Sequence, residues 1–303
     1  MKLFDTPDLR DLLARLLPGL TIQAVASPSG QRVVYFCNPE NADWIPDHTQ
    51  WEEVVLKVAC GDSPQTVSYI QREIQILSSL ATPHYPRLIY SETFVQDPAT
   101  EEPLSSKLFI TIEERVQAEP LDQLRGNYIS ESAVLDLIKK LVIALQPLWE
   151  SKPPLIHRDI KPQNILIRPD GEVVIIDLGI VRVEGVAGVT LTIGDFGPCT
   201  PKYASPEQAR NDKLNISFKS DFFSLGTLCY ELLAGFNPFD DGASDLYTVL
   251  HNVVTNKAKP LHDLGLCSAE FSNIIQKIME KEPYKRFRRI VDLTAALEAC
   301  PRR

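Results

Sequence analysis

The sequence predicts an α+β chain in two parts: a small antiparallel sheet with one main helix, followed after about residue 116 by a larger helical part. Two observations lead to this prediction. Short runs rich in β-branched and aromatic residues occur before residue 116, separated by segments rich in Pro, Gly and Ser. After Pro120, apolar residues recur instead at helical spacing. The 303 residues, 44% of them hydrophobic, suffice for one large core or two modest ones.

The first part begins with a short leading helix. Leucines at near-helical spacing predict it within residues 3–17, before Pro18 and Gly19 break the pattern. Runs of β-branched and aromatic residues, bounded by turn residues, then predict strands at 21–26, 32–37, 53–60, 88–94 and 108–112, giving a sheet of about five strands. The polar segment at 38–50 is predicted to be an exposed loop.

Amphipathic stripes place the helices. One helix is predicted at 68–80, within the first part, because Ile70, Ile74 and Leu77 share a face. The second part is predicted to contain helices at 133–148, 222–233, 245–254 and 271–279. No repeat or low-complexity tract interrupts the chain.

Composition excludes several classes of function. A formal net charge of −9 argues against nucleic-acid binding, which usually requires a basic face, although an acidic surface could favour basic protein substrates. The six scattered cysteines show no metal-ligand spacing and are predicted to be reduced thiols. Neither a signal peptide nor an apolar run long enough to span a membrane is found, which predicts a cytoplasmic protein.

The most informative segment is 157–166, His-Arg-Asp-Ile-Lys-Pro-Gln-Asn-Ile-Leu, which is followed by Asp177-Leu178-Gly179. It resembles the catalytic and metal-binding loops of the eukaryotic-type serine/threonine protein kinases. Within that family, Pro206-Glu207-Gln208 looks like the form of the bacterial members. The resemblance covers about residues 20–297. It implies the bilobal protein-kinase fold, with an N-lobe at 20–116, a C-lobe at 117–303 and ATP in the cleft between the lobes; the leading helix, at 1–19, precedes this domain.

The resemblance assigns roles within this motif. Asp159 would orient or accept the proton of the substrate hydroxyl, and Lys161 would place a positive charge beside the γ-phosphate of ATP. Asn164 and Asp177 would supply oxygen ligands to Mg²⁺, or to Mn²⁺ in its place. A lysine at position 161 is the form typical of kinases that act on Ser and Thr in protein substrates.

A second set of residues is predicted to bind ATP from the first part of the chain. Val54-Val55-Leu56-Lys57 resembles the strand whose lysine contacts the α- and β-phosphates. A lysine among apolar residues needs a partner, and Glu73 on the predicted helix is favoured over Glu101 and Glu102. The ATP-binding residues implied by the resemblance are Lys57, Glu73, Gly30, Val34 and Leu166.

The segment 197–207 resembles the end of a kinase activation segment, with Ser-Pro-Glu in place of Ala-Pro-Glu. By that resemblance Thr200 would line the substrate site and Glu207 would pair with Arg286. Asp221 would accept hydrogen bonds from the backbone of the catalytic loop. These last three residues are predicted to be structural.

Arg158 offers a cation that could bind a phosphorylated activation segment. Thr190 and Thr192 are the candidate phosphorylation sites that would make this a switch, although they read equally well as ordinary strand threonines.

The sequence departs from the family pattern at the glycine-rich loop. The turn 26–32 has one glycine and a proline, and Ser27, Ser29 and Arg32 would occupy the three glycine positions if Val34 covers the adenine. Val55 and Leu178 are conservative replacements. The segment 110–116 contains the predicted hinge, with an alignment that can shift by one residue.

Two other functions compete with protein phosphorylation. The poor glycine loop is compatible with a pseudokinase or nucleotide-binding scaffold. Such scaffolds commonly lose at least one of six residues that this chain retains: Lys57, Glu73, Asp159, Lys161, Asn164 and Asp177. A small-molecule kinase would share the two-lobed fold, but not the segment that shapes a peptide site. The sequence therefore predicts transfer of the γ-phosphoryl group of Mg·ATP to Ser and Thr of proteins.

Overall fold

The computed structural model describes residues 3–26, 32–80, 82–178, 182–183, 199–240 and 242–301. The chain forms two compact units, Met1–Gln117 and Ala118–Arg303. The first contains an antiparallel sheet and the second is mainly helical, so the predicted α+β class is confirmed.

The described residues of the first unit form a five-stranded antiparallel sheet and two α-helices. The strand order is β1-β2-β3-β5-β4. The strands are β1 (Thr21–Val25), β2 (Val33–Asn38), β3 (Val54–Cys60), β4 (Leu88–Gln96) and β5 (Pro103–Glu114), and the helices are α1 (Pro7–Leu16) and α2 (Pro64–Ser79). β5 begins earlier than the apolar pattern predicts, because Pro103 pairs with Gln96 and extends the hairpin through polar residues.

The leading helix α1 belongs to the core of this unit. Leu9, Leu13 and Leu16 are buried in one cluster with Tyr35 and Leu56 from the sheet. The side chain of Thr6 caps the helix by accepting a hydrogen bond from the backbone N–H of Leu9. One face of the sheet is therefore covered by the segment that precedes it.

The second unit is built around long helices. Those of at least ten residues are α3 (Glu131–Trp149), α5 (Phe218–Ala234), α6 (Leu246–Thr255), α7 (Ala269–Ile278) and α8 (Ile290–Ala299). A short helix, α4 (Pro206–Ala209), precedes α5, and short strands include β6 (Glu119–Pro120), β7 (Leu155–Ile156), β8 (Ile165–Ile167), β9 (Val173–Ile175) and β10 (Arg182–Val183). Gly226 lets α5 approach α7, because a Cβ atom there would lie 2.6 Å from the Cγ of Met279.

Helix α8 is an element that the apolar pattern did not predict. Leu293 and Leu297 are its buried residues, so its stripe is narrow, and Val291 is exposed. Among the helices described in both units, none is long and apolar enough to cross a membrane.

Candidate active site

The loop that connects β7 to β8 is held by hydrogen bonds to the side chain of Asp221, in the first turn of α5. This carboxylate is fully buried and accepts hydrogen bonds from the backbone N–H groups of His157 and Arg158, both at 2.9 Å, and from Nε1 of Trp149 at 2.8 Å. Burial raises the pKa of Asp221. Arg158 has a φ of 73°, an uncommon value for a residue other than glycine, and the bonds to Asp221 fix the backbone there.

The side chain of Asp159 is the centre of the site in the second unit. Its Oδ2 accepts hydrogen bonds from Nζ of Lys161 at 2.6 Å and from Nδ2 of Asn164 at 3.1 Å. Its Oδ1 accepts from Oγ1 of Thr200 at 2.7 Å and from the backbone N–H of Thr200 at 3.0 Å. Both oxygens are therefore held in fixed positions.

Lys161 links the loop to the segment that carries Thr200. Its ammonium group also donates to Oγ1 of Thr200 at 2.9 Å, so it contacts Asp159 and Thr200 together. The side chain is 21% exposed, which leaves the charge accessible to a ligand. The structure thus gathers Asp159, Lys161, Asn164 and Thr200, for which the sequence predicts separate roles.

Asn164 and Asp177 are separated in the sequence but near each other in the structure, because the backbone N–H of Ile176 donates to the carbonyl oxygen of Asn164 at 2.9 Å. Asp177 itself has a φ of 65°, a strained conformation of the kind found at functional sites. Nδ2 of Asn164 donates to the backbone oxygen and carboxylate of Asp159, and neither bond uses its Oδ1.

The side-chain oxygens of Asn164 and Asp177 fit a hard cation such as Mg²⁺, most of whose ligands are supplied by water and phosphate. Within the part of the chain that the structure describes, no three His, Cys, Asp or Glu side chains form a cluster that could hold a metal alone. One amide oxygen and one carboxylate match the small protein contribution that Mg²⁺ takes at phosphate-transfer sites.

The predicted contact between Glu207 and Arg286 is present in the core of the second unit, where α4 begins. The residue that follows, Gln208, forms a contact that sequence reasoning missed: its Nε2 donates to the carbonyl oxygen of Arg158 at 2.8 Å. Gln208 also forms a capping box with Ser205 at the start of α4. Ser205 therefore caps α4 with its hydroxyl group, which the alanine of the family's Ala-Pro-Glu pattern lacks.

In the first unit, Lys57 forms an ion pair that the sequence did not predict. Its Nζ lies 2.8 Å from Oε2 of Glu113 on β5, and both side chains are largely buried. An acid on the strand that pairs with β3, two residues from the partner of Lys57, was the signal that could have revealed it. Val34 lies directly opposite Lys57 on β2.

The remaining predicted residues are placed as follows. Glu73 lies in α2, but its side chain is outside the described part of the chain, so its pairing with Lys57 stays a prediction. Leu166 is half-buried in β8. Gly30, Thr190 and Thr192 lie outside the described residues, and their roles stay predictions.

An open pocket adjoins Thr200 in the second unit. Pro201, Leu246 and Val249 supply apolar walls, and Lys202 and Asp240 lie at its charged edge. Leu246, at the start of α6, is 50% exposed. Thr200, which lines this pocket, is also hydrogen-bonded to Asp159.

Comparison with known proteins gives matches over most of the chain. The sequence profile described as the protein kinase domain matches residues 47–297. A serine/threonine-protein kinase, drp72, of Corynebacterium efficiens is 28% identical over 287 residues, which cover 93% of this chain and 51% of the relative. PknA of Corynebacterium glutamicum is 30% identical over 250 residues, 80% of this chain and 50% of the relative.

PknB of Mycobacterium tuberculosis, another serine/threonine-protein kinase, is 30% identical over 214 residues, 66% of this chain and 33% of the relative. The chain thus spans about half the length, or less, of the curated relatives it matches.

Proposed function

The chain belongs to the protein kinase family, and from that membership we propose that it transfers the γ-phosphoryl group of ATP to Ser and Thr hydroxyls of proteins. The observation that supports this proposal most directly is the set of hydrogen bonds around Asp159. Hydrogen bonds from Lys161, Asn164 and Thr200 fix the Asp159 carboxylate, so that it can position an incoming hydroxyl group or accept its proton.

Positioning and charge neutralisation account for most of the catalysis in phosphoryl transfer. Lys161 can place its ammonium group beside the transferring phosphate while it remains bonded to Asp159. Arg158 and Asp177 have positive φ, the kind of uncommon backbone conformation that clusters at functional sites.

Mg²⁺ is the proposed cation, with Mn²⁺ as a substitute, and Asn164 and Asp177 would hold it. When bound, the cation supplies neutralisation of phosphate charge. Lys57 would contact the α- and β-phosphates from the first unit, and Val34 and Leu166 would pack against the base. The side chain of Asn164 is oriented by its bonds to Asp159, so the metal ligand and the proton acceptor are coupled.

Protein substrates are favoured by the pocket beside Thr200, which can take a side chain next to the phosphorylated residue. We also propose a cytoplasmic location, because all six cysteines are free thiols, the state expected in a reducing compartment.

The proposal is tested with γ-labelled ATP and Mg²⁺, with a generic basic protein and the chain itself as substrates. We expect label on Ser or Thr that is lost in Lys57→Ala and in Asp177→Ala. Nucleotide binding without any transfer by the unaltered protein would contradict the proposal and favour a nucleotide-binding scaffold.

A further inference from the structure

The buried ion pair of the first unit joins two neighbouring strands. Nζ of Lys57 lies 2.8 Å from Oε2 of Glu113, and the side chains are 14% and 3% exposed. Lys57 pairs in register with Thr111, and Val55 pairs with Glu113. Since residues opposite each other and residues two apart on a strand share a face, Lys57 and Glu113 project from the same face of the sheet.

The surroundings of the pair make its charges interdependent. Val34 lies opposite Lys57 on β2, and Val55 lies opposite Glu113 on β3. Removing water from a charge between such side chains is costly unless an opposite charge compensates it. A carboxylate at 2.8 Å therefore stabilises the ammonium form of Lys57 in this position.

We propose that Glu113 is a positioning residue that keeps Lys57 charged and fixes where its ammonium group lies. The inference rests on the proposed function for its consequence, the contact of Lys57 with phosphate, but not for the ion pair itself. The proposal gives Glu113, on the sheet, the role of ion-pair partner of Lys57, which the sequence analysis gave to Glu73 on α2 alone.

The location of Glu113 on the sheet has a physical consequence. β3 and β5 are paired without a break from Val54 and Glu114 to Cys60 and Leu108. The backbone hydrogen bonds of the sheet therefore fix the position of the Glu113 backbone relative to that of Lys57. The charge of Lys57 should accordingly depend on the Glu113 carboxylate, which lies 2.8 Å from it.

Acylation of Lys57 tests the proposal, because only the uncharged amine reacts. The full chain is treated with an N-hydroxysuccinimide ester of acetate from about pH 6 to about pH 10, and modification of Lys57 is followed by peptide mass spectrometry, with the exposed Lys259 as internal reference. We expect Glu113→Gln to increase the rate at Lys57 about tenfold at neutral pH, because a larger fraction of the amine is uncharged.

Matched variants separate charge from shape. Glu113→Gln keeps the shape and loses the charge, whereas Glu113→Asp keeps the charge, so the aspartate variant should return toward the unaltered profile. Glu92→Gln makes the same change at an exposed position of β4 and should leave the profile unchanged. If Glu113→Gln does not fold, Glu113→Met supplies a charge-free side chain suited to an apolar site, with the same expected shift.

An unaltered profile in folded Glu113→Gln or Glu113→Met would overturn the proposal, and a shift in Glu73→Gln beside it would assign the task to Glu73. The readout needs no phosphoryl transfer, so it is independent of the proposed function. If the chain is an active kinase, Glu113→Gln should also raise KM for ATP about tenfold while kcat changes less, since the lost contact concerns nucleotide binding.

Discussion

Arg286 donates to both carboxylate oxygens of Glu207, at 2.7 and 2.9 Å, and neither side chain is more than 2% exposed. Its guanidinium group also donates to the backbone oxygens of Lys219, Glu280 and Lys281. Glu207 in turn accepts a hydrogen bond from Oγ of Ser220 at 2.7 Å. The pair therefore joins α4, the start of α5 and the segment after α7 within the second unit.

Removal of one partner of this pair should unfold the second unit at lower denaturant concentration. We expect Arg286→Leu to lower the free energy of unfolding by about 3–5 kcal/mol, because it leaves the Glu207 carboxylate buried without its counterion. Urea denaturation followed by circular dichroism measures this. Arg289→Leu removes the exposed pair with Asp292 and should leave the free energy of unfolding nearly unchanged. Equal losses in the two variants would contradict the importance of burial.

Loss of the Asp159 carboxylate should abolish transfer without unfolding the protein. We expect Asp159→Asn to lower kcat at least about 100-fold, because an amide cannot accept the hydroxyl proton. The change keeps the shape of the side chain, so thermal unfolding should shift little. Asp170→Asn, at an exposed turn before β9, is the matched control and should retain activity. Transfer that survives in Asp159→Asn would remove that residue from the chemistry.

The hydroxyl of Thr200 should matter more than its methyl group. It donates to Asp159 and accepts from Lys161, so Thr200→Val removes two contacts from the site. We expect a loss of about 10- to 100-fold in kcat/KM, equivalent to about 1–3 kcal/mol, whereas Thr200→Ser should stay near the unaltered value. A valine variant as active as the serine variant would show that the backbone N–H of Thr200 alone suffices to hold Asp159.

The sequence predicted the strands and helices whose apolar pattern is strong, and it missed those whose pattern is weak. β2 alternates buried and half-buried residues along its length, which is the period that sequence reasoning detects. Helix α8 buries mainly Leu293 and Leu297, too few residues to form a clear stripe. Polar residues of β5 were missed for a related reason, because their pairing with β4 leaves no trace in hydrophobicity.

The candidate site was predictable where a linear motif carries it. Asp159, Lys161 and Asn164 fall within one contiguous segment, and the structure brings them together with Thr200. Glu113 and Gln208 were not predictable in this way, because their partners, Lys57 and Arg158, lie far away in the sequence. Only strand register and the turn at α4 bring these residues into contact.

Lys281 should make the stability of the second unit depend on pH. Its Nζ donates to the carbonyl oxygen of Val253 at 2.6 Å and lies 4.1 Å from the ring centre of Phe239. Burial, with the nearby charges of Arg286 and Arg210, lowers the pKa of Lys281 from 10.5 to about 7. The folded protein therefore releases this proton near pH 7, whereas the unfolded chain keeps it to about pH 10.5.

Because the unfolded state binds more protons in that interval, the free energy of unfolding gains from this group as pH rises, by at most about 1.4 kcal/mol per pH unit. Lys281→Met lacks that gain, so its stability relative to the unaltered protein should fall as pH rises from about 7 to about 10. Urea denaturation across this range measures the difference, and Lys277→Met, at an exposed position of α7, should follow the unaltered protein. A pH-independent difference for Lys281→Met would mean that Lys281 holds its proton equally in both states, with the ring of Phe239 and the carbonyl of Val253 compensating for its burial.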